Sequence, residues 1–397
     1  MSTTKHSCKN SVIANQTVSK GVWLNGLGVN LLLCISTVVI FTGGLELLAR
    51  TKYAFRSHTQ NSPITYDIFD YDREKAFQLK KNYSGLFVEV PFATNSFGYR
   101  SPEIALEKPE NTKRVLVLGD SISFGHKVMD NETYSYFLEE TLSQNFGEDI
   151  SIEIINTAAP ANSPYQEYYD LERGLKFDPD AIILQLTLND ISDMPYVTVI
   201  DVQKHIDRIL KERSALYLFL KDVASRIRFQ DITGKNVSEK ALQQEIDIAR
   251  SMINDPDNPE VLKAWNMAFE WIQQMTDLAK ERGIPFVLIA TPIDFQLGRE
   301  KQFAHPQRIL QAFAVEEEIQ FIDLLDILQK MYAESAVGEP VETREEIDRI
   351  IRETDMSTSD PFAEFWAIYF SDYDHPSAVG HKFISDVLQP VVLNALQ

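Results

Sequence analysis

The chain has 397 residues, 44% hydrophobic and 24% charged, which suffices for one large domain with insertions or two small ones and excludes wholesale disorder. Its formal net charge of −20 argues against a nucleic-acid partner and against electrostatic attachment to anionic lipid, because both need a basic surface. The two cysteines, Cys8 and Cys34, lie within the first fifty residues, so the main domain has no disulfide, no cysteine-based metal site and no thiol nucleophile.

In chain order, residues 1–20 read as a tail. No charged residue occurs from Gly21 to Leu45, and a segment over 21–49 is long enough to cross the ~30 Å hydrocarbon core as a helix. An uncleaved transmembrane anchor is therefore expected. The competing reading is a cleaved signal peptide, whose apolar region usually runs ~7–15 residues; here the helical pattern continues through Glu46–Arg50. A lipoprotein signal is disfavoured because Leu33, before Cys34, is too bulky. Lys5, Lys9 and Lys20 before the span balance Arg50, Lys52 and Arg56 after it, so charge alone leaves the orientation undecided.

Residues 50–112 form a polar lead-in dotted with aromatics. Beyond it, over 113–397, short apolar runs alternate with amphipathic stretches. Strands are predicted at 114–119, 150–156, 181–187, 284–290 and 319–323, with helices near 133–145, 164–176, 260–282 and 305–317. This alternation predicts an α/β/α sandwich around a parallel sheet of about five strands. A helical insertion is expected at about 193–259 and an acidic one at about 334–360, followed by a last helix over 378–396.

Four segments carry candidate chemistry. Gly119-Asp-Ser-Ile-Ser-Phe-Gly125 follows the first strand, which puts Ser121 where open α/β sheets hold ligands. The glycines permit a tight turn, and the next helix N-terminus would favour developing negative charge; taken alone, the same triplet reads as a turn with an N-cap. In Asp372-Tyr-Asp-His375-Pro-Ser, an aspartate three residues before a histidine can orient the imidazole while its other nitrogen faces a serine. A lone histidine there would otherwise be a surface or capping residue. Asn156 closes the second strand and begins Asn-Thr-Ala-Ala-Pro-Ala161, and Thr187-Leu-Asn189-Asp190 closes the third. Asn189 could donate to an oxyanion or simply form an Asx-turn.

These four blocks, in this order, resemble the SGNH (GDSL-type) hydrolases over about residues 114–395. The resemblance implies a flavodoxin-like fold with Ser121 as nucleophile, His375 as general base and Asp372 as its orienting partner. It also implies an oxyanion hole from the Ser121 N–H, the Ala161 N–H and the Asn189 side chain, with Asp120 and Asn156 in supporting positions. The family usually has glycine at the positions of Ala158, Ala161 and Thr187; an alanine still donates its N–H but is strained by ~1 kcal/mol or more if the position needs φ > 0. Asn95-Ser-Phe-Gly-Tyr-Arg100 is similar to a lead-in of membrane-anchored bacterial members, which implies a catalytic domain outside the cytoplasm.

The expected activity is that of a serine esterase acting on an O-acyl ester, a carbohydrate O-acetyl group among the candidates, without metal or organic cofactor. A polysaccharide O-acetyltransferase using the same triad is the first alternative, and a non-catalytic envelope scaffold the second. Phe365, Trp366, Tyr369, Phe370 and Tyr373 crowd the approach to His375, either as core or as a surface for a sugar ring or acyl chain. Asp372 with Asp374 suggests a metal only if a second ligand cluster exists, and none is evident in the sequence.

Overall fold

The computed structural model describes residues 20–56, 68–147, 149–191, 249–297, 301–334 and 361–397, with isolated positions at 214, 216, 217, 220 and 247. The tail, most of the insertion expected at 193–259, and the acidic insertion after residue 334 lie outside the described residues. The chain divides into two compact units, Met1–Gln60 with Asp207–Asp231, and Asn61–Ile206 with Ile232–Gln397.

In the first unit, α1 (Lys20–Arg56) contains the window Gly28–Arg50, with mean hydropathy 2.2 and none of its apolar length buried. At 1.5 Å per residue its 23 residues extend about 35 Å, enough for a bilayer core. A membrane anchor and a signal sequence both have such a helix. Near its polar end Glu46 accepts hydrogen bonds from Arg50 Nε (2.8 Å), Ser214 Oγ (2.8 Å) and the Leu216 N–H (3.0 Å).

The second unit opens with two antiparallel pairs, β1 (Phe69–Asp72) with β2 (Ala76–Leu79) and β3 (Ser84–Phe87) with β4 (Val90–Ala93). The main sheet follows: β5 (Thr112–Leu118), β6 (Ser151–Asn156), β7 (Ala181–Leu186), β8 (Phe286–Ala290) and β9 (Gln320–Asp323). All neighbours are parallel, in the order β6-β5-β7-β8-β9. The chain steps from β5 outward to β6 and then returns to the other side of β5, so the order reverses there. Open α/β sheets bind ligands at such a reversal, beyond the strands' carboxyl ends.

The strand sequences explain why both faces are covered. Val115 and Val117 point to one side of β5 and Leu116 and Leu118 to the other, all fully buried. The valine side packs against α3 (Tyr134–Phe146) and α9 (Ala378–Leu396) through Leu138, Leu142, Ile384 and Leu388. The leucine side packs against α4 (Pro164–Gly174), α5 (Pro259–Arg282) and α6 (His305–Glu316) through Leu171, Trp265, Ile272 and Leu310. Helix starts and stops are local. Asn258 caps α5 just before Pro259 and Gly283, at φ 63°, ends it, the usual proline-first, glycine-last asymmetry. Further helices among the described residues are the single turn α2 (Ser121–Phe124), α7 (Leu324–Glu334) and α8 (Pro361–Tyr369), and residues 249–254 are also helical.

The aromatic group before His375 is mostly core. Phe365, Trp366 and Phe370 are buried against Leu297, Leu328 and Tyr332, with Tyr369 alongside. Tyr373 packs instead at the edge of the main core on the leucine side.

Candidate active site

Ser121 emerges from β5 through a turn that only glycine serves well. Gly119 sits at φ 150°, and a Cβ there would stand 2.4 Å from Ser123 Oγ and 2.8 Å from Gln185 Oε1. Asp120 caps α2, its Oδ1 accepting from the Ile122 N–H at 2.8 Å. The helix stops after one turn at Gly125, φ 90°. A single turn offers a free Ser121 N–H more than a macrodipole.

His375 meets Ser121 from the loop before α9. Its Nε2 lies 2.9 Å from Ser121 Oγ, and its Nδ1 lies 2.9 and 3.0 Å from the two carboxylate oxygens of Asp372. Carboxylates only accept, so the neutral ring carries its proton on Nδ1 and turns the Nε2 lone pair to the serine hydroxyl. Asp372 is itself fixed by the His375 N–H (2.9 Å), the Asp374 N–H (3.2 Å) and Lys127 Nζ (2.7 Å). Burial pushes the Asp372 carboxyl up, but the His375 hydrogen bond and charge, with Lys127, hold it well below the usual carboxylate range.

Asp374 is a second carboxylate at the same imidazole. It is fully buried, its Oδ1 lies 2.9 Å from His375 Nδ1, and its Oδ2 accepts from Asn189 Nδ2 at 3.3 Å. Only Asp372 meets the ring N–H in hydrogen-bond geometry; Asp374 Oδ1 has charge proximity alone. Burial opposes charge on His375, yet Asp374 and Asp372 outweigh it and raise the imidazole pKa to about 10. The pair therefore favours the imidazolium, the form a general base reaches on taking a proton.

The oxyanion candidates come from three strand ends. Ala161 takes φ 66° in the loop after β6, a left-handed conformation that costs an L-residue roughly 1 kcal/mol. The other two positions that usually hold glycine need none: Thr187 is extended at φ −121°, and Ala158 is absent from the positive-φ residues. Among the described residues neither the Ser121 nor the Ala161 N–H is engaged by a protein acceptor. Asn189 lies in the turn Leu188–Asp190 after β7; one of its two amide hydrogens reaches Asp374, which leaves the other available. Asn156 binds the Ser123 carbonyl through Nδ2 at 2.6 Å and the Ala158 N–H through Oδ1 at 3.1 Å, which ties α2 to the loop carrying Ala161.

Several contributors were not legible as site residues. Arg100, from the lead-in, donates to the carbonyls of Phe124 (2.9 Å), Gly125 (2.7 Å) and Val128 (2.8 Å), holding the exit of the serine turn. Lys75, between β1 and β2, is buried against Asp170 at 2.5 Å. Asp170 accepts from Asn162 Nδ2 at 3.0 Å, and the same amide nitrogen donates to the Gly119 carbonyl at 3.2 Å. His126 stacks on His375 with ring centroids 4.0 Å apart, and burial with the adjacent His375 lowers its pKa, keeping it neutral. Arg100 belongs to a motif noted in the sequence and His126 follows the serine block directly, but nothing local marks Lys75.

Beneath the serine lies a set of buried acids. Asp120 and Asp190 lie close enough in the interior for each to influence the other's titration. Burial, with Asp374 adding, pushes Asp120 up to about 6. Burial also raises Asp190 and Glu167 well above their usual values, and neither Glu167 oxygen has a hydrogen-bond partner among the described residues. As to metals, His126, Asp372 and His375 place one ligand atom each within 4.8 Å. The Lys127 ammonium on Asp372 and the ring hydrogen bonds of His375 oppose a cation there.

Comparisons with known proteins bear on this arrangement. The family model for GDSL-like lipases and acylhydrolases matches residues 115–388, from β5 into α9. Among curated proteins nothing matches. Similar solved structures include a member of the lipolytic G-D-S-L family from Veillonella parvula (12% identity, 70% of this chain and 97% of that one, TM-score 0.33). Another is the lipase/acylhydrolase from Enterococcus faecalis (11%, 72% and 97%, TM-score 0.35). A third is a catalytic mutant of an acetylxylan esterase from Geobacillus stearothermophilus (13%, 72% and 94%, TM-score 0.36). With more than half of its length inside the family model, and a parallel five-stranded sheet beneath the serine turn, this chain belongs to the GDSL-like lipase/acylhydrolase family of ester-bond hydrolases.

Proposed function

We propose that this protein is a serine esterase that cleaves an O-acyl ester by a two-step acyl-enzyme mechanism. The observation that carries the reading is the unbroken chain from Ser121 Oγ through His375 Nε2 and Nδ1 to Asp372, with links of 2.9 and 2.9 Å. Ser121 Oγ attacks the carbonyl carbon as His375 Nε2 takes its proton, and Asp372 orients and stabilises the imidazolium. The oxyanion receives hydrogen bonds from the Ser121 and Ala161 N–H groups and Asn189 Nδ2. His375 then protonates the departing alcohol, and a water deprotonated by His375 releases the acid and regenerates the serine. Asp120 and Asn156 hold the turn on which Ser121 rides.

A membrane-anchored enzyme with its catalytic domain outside the cytoplasm fits the exposed apolar length of α1 and the lead-in motif Asn95–Arg100. A carbohydrate O-acetyl group is the substrate class we favour testing first. The test is p-nitrophenyl acetate turnover by the full-length chain in detergent, beside Ser121→Ala and His375→Ala, with and without oligosaccharide acceptors. Each variant should lose about 10³-fold or more in kcat. Wild-type turnover in a folded Ser121→Ala protein would overturn the reading in favour of a non-catalytic role. Acetylated oligosaccharide among the products would assign the transferase reaction instead of hydrolysis.

A further inference from the structure

A cleft of about 270 Å³ lies between the lead-in and α4, apart from the serine. Its charged lining consists of Lys75, Lys81, Arg173 and Lys176 against Asp72 and Asp170. Both carboxylates are already committed. Lys75 holds Asp170 at 2.5 Å, and Arg173 holds Asp72 through two bonds of 2.8 and 2.9 Å. That leaves Lys81 and Lys176 as cations with no carboxylate partner among the described residues, in a chain whose net charge is −20. Lys176 is exposed but lies against two aromatic rings: its Nζ stands 5.0 Å from the Phe97 ring centre and 5.1 Å from that of Phe177. Burial and the nearby charges of Lys81 and Arg173 lower its pKa, as expected where positive charges face each other without a counterion.

We infer that this cleft is a binding site for a carboxylate or phosphate group, held by Lys81 and Lys176 with Phe97 beside it. Two lysines lining one concave, partly apolar surface suit an anionic oxygen group, and ammonium-to-oxyanion hydrogen bonds are the strong kind. An overall acidic protein repels a polyanion except at such a point. Ala159 lines the cleft and belongs to the same loop as Ala161. A saccharide carrying an acyl ester and a uronate or phosphate group could therefore engage both sites. That last step, the identity of the ligand with the ester substrate, rests on the esterase reading; anion binding itself does not.

The experiment is isothermal titration of the full-length protein, in Ser121→Ala form so that nothing turns over, with inorganic phosphate, digalacturonate and neutral cellobiose. Phosphate or digalacturonate should bind, more weakly as salt rises, and cellobiose should not. Lys81→Glu with Lys176→Glu should weaken the anion about tenfold or more, and Lys81→Met with Lys176→Met by less. Both lysines are solvent-exposed, so these variants should fold. In the Ser121 background they should keep p-nitrophenyl acetate turnover. Tighter binding of digalacturonate than of phosphate assigns a sugar carboxylate, and the reverse order assigns a phosphate. No binding of either anion, binding indifferent to the lysine changes, or equal binding of cellobiose would overturn the inference. Loss of ester turnover as a measure of Ser121 is read in a separate assay, so failure of the esterase reading leaves this result intact.

Discussion

The loops that leave the adjacent strands β5 and β6 reach unusual backbone conformations by opposite means. The serine turn uses glycine at φ 150° and 90°, at Gly119 and Gly125, where an added Cβ would strike neighbouring side chains. The loop after β6 places Ala161 at φ 66° and restrains it from outside, through Asn162, Asp170 and the lysine that the lead-in supplies. The first solution is written into the seven consecutive residues from Gly119 to Gly125. The second needs side chains from residues 75, 162 and 170, brought together only by folding. A conformation that a residue type disfavours persists when its surroundings over-determine it.

The largest expected effect tests that brace. Lys75→Met leaves Asp170 buried without its cation and should cost about 3–5 kcal/mol in urea unfolding, with a fall in ester turnover as the Ala161 loop loosens. Lys75→Met with Asp170→Leu should recover much of the stability, because no lone charge remains; failure to recover would mean that the pair does more than neutralise itself. Gly119→Ala comes next, at about 2–3 kcal/mol for the disfavoured φ and the collision with Ser123 and Gln185. A neutral result there would end the claim that glycine geometry sets the serine turn.

The loop carrying His375 is held by charge, which gives a third term to the comparison. Its two carboxylates raise the imidazole pKa, and a general base works only when neutral, so the acid limb of kcat/KM should lie above the usual histidine range. Asp374→Asn removes one of those charges while keeping an acceptor for Asn189. The acid limb should move to lower pH by about 1 unit or more, and an unmoved limb would assign the shift to Asp372 alone. The smallest effect is Ala161→Gly, which relieves the left-handed strain and should stabilise the protein by about 1 kcal/mol. Destabilisation would show that the alanine is not strained.

The layered architecture was legible because parallel strands buried on both faces leave continuous apolar runs, such as Val115–Leu118 and Ala181–Leu184, between amphipathic helices. Ser121 stood out as a candidate in a short block at a strand end, and Asp372 and His375 in another just before the last helix. Arg100 stood in a recognised motif without an apparent task. Asp374 was noticed only as a possible metal ligand, since its burial beside the imidazole depends on the fold of the loop.

The sheet, its helical cover, the apolar length of α1 and the order of the candidate site residues can be read along the chain, because these follow from local periodicity and turn chemistry. Lys75 bracing Asp170 beside the Ala161 loop, a second carboxylate facing His375, and Lys81 and Lys176 sharing a cleft emerge on folding alone. Each depends on residues far apart in sequence, whose charges interact strongly only once burial or a shared concave surface brings them within a few ångströms.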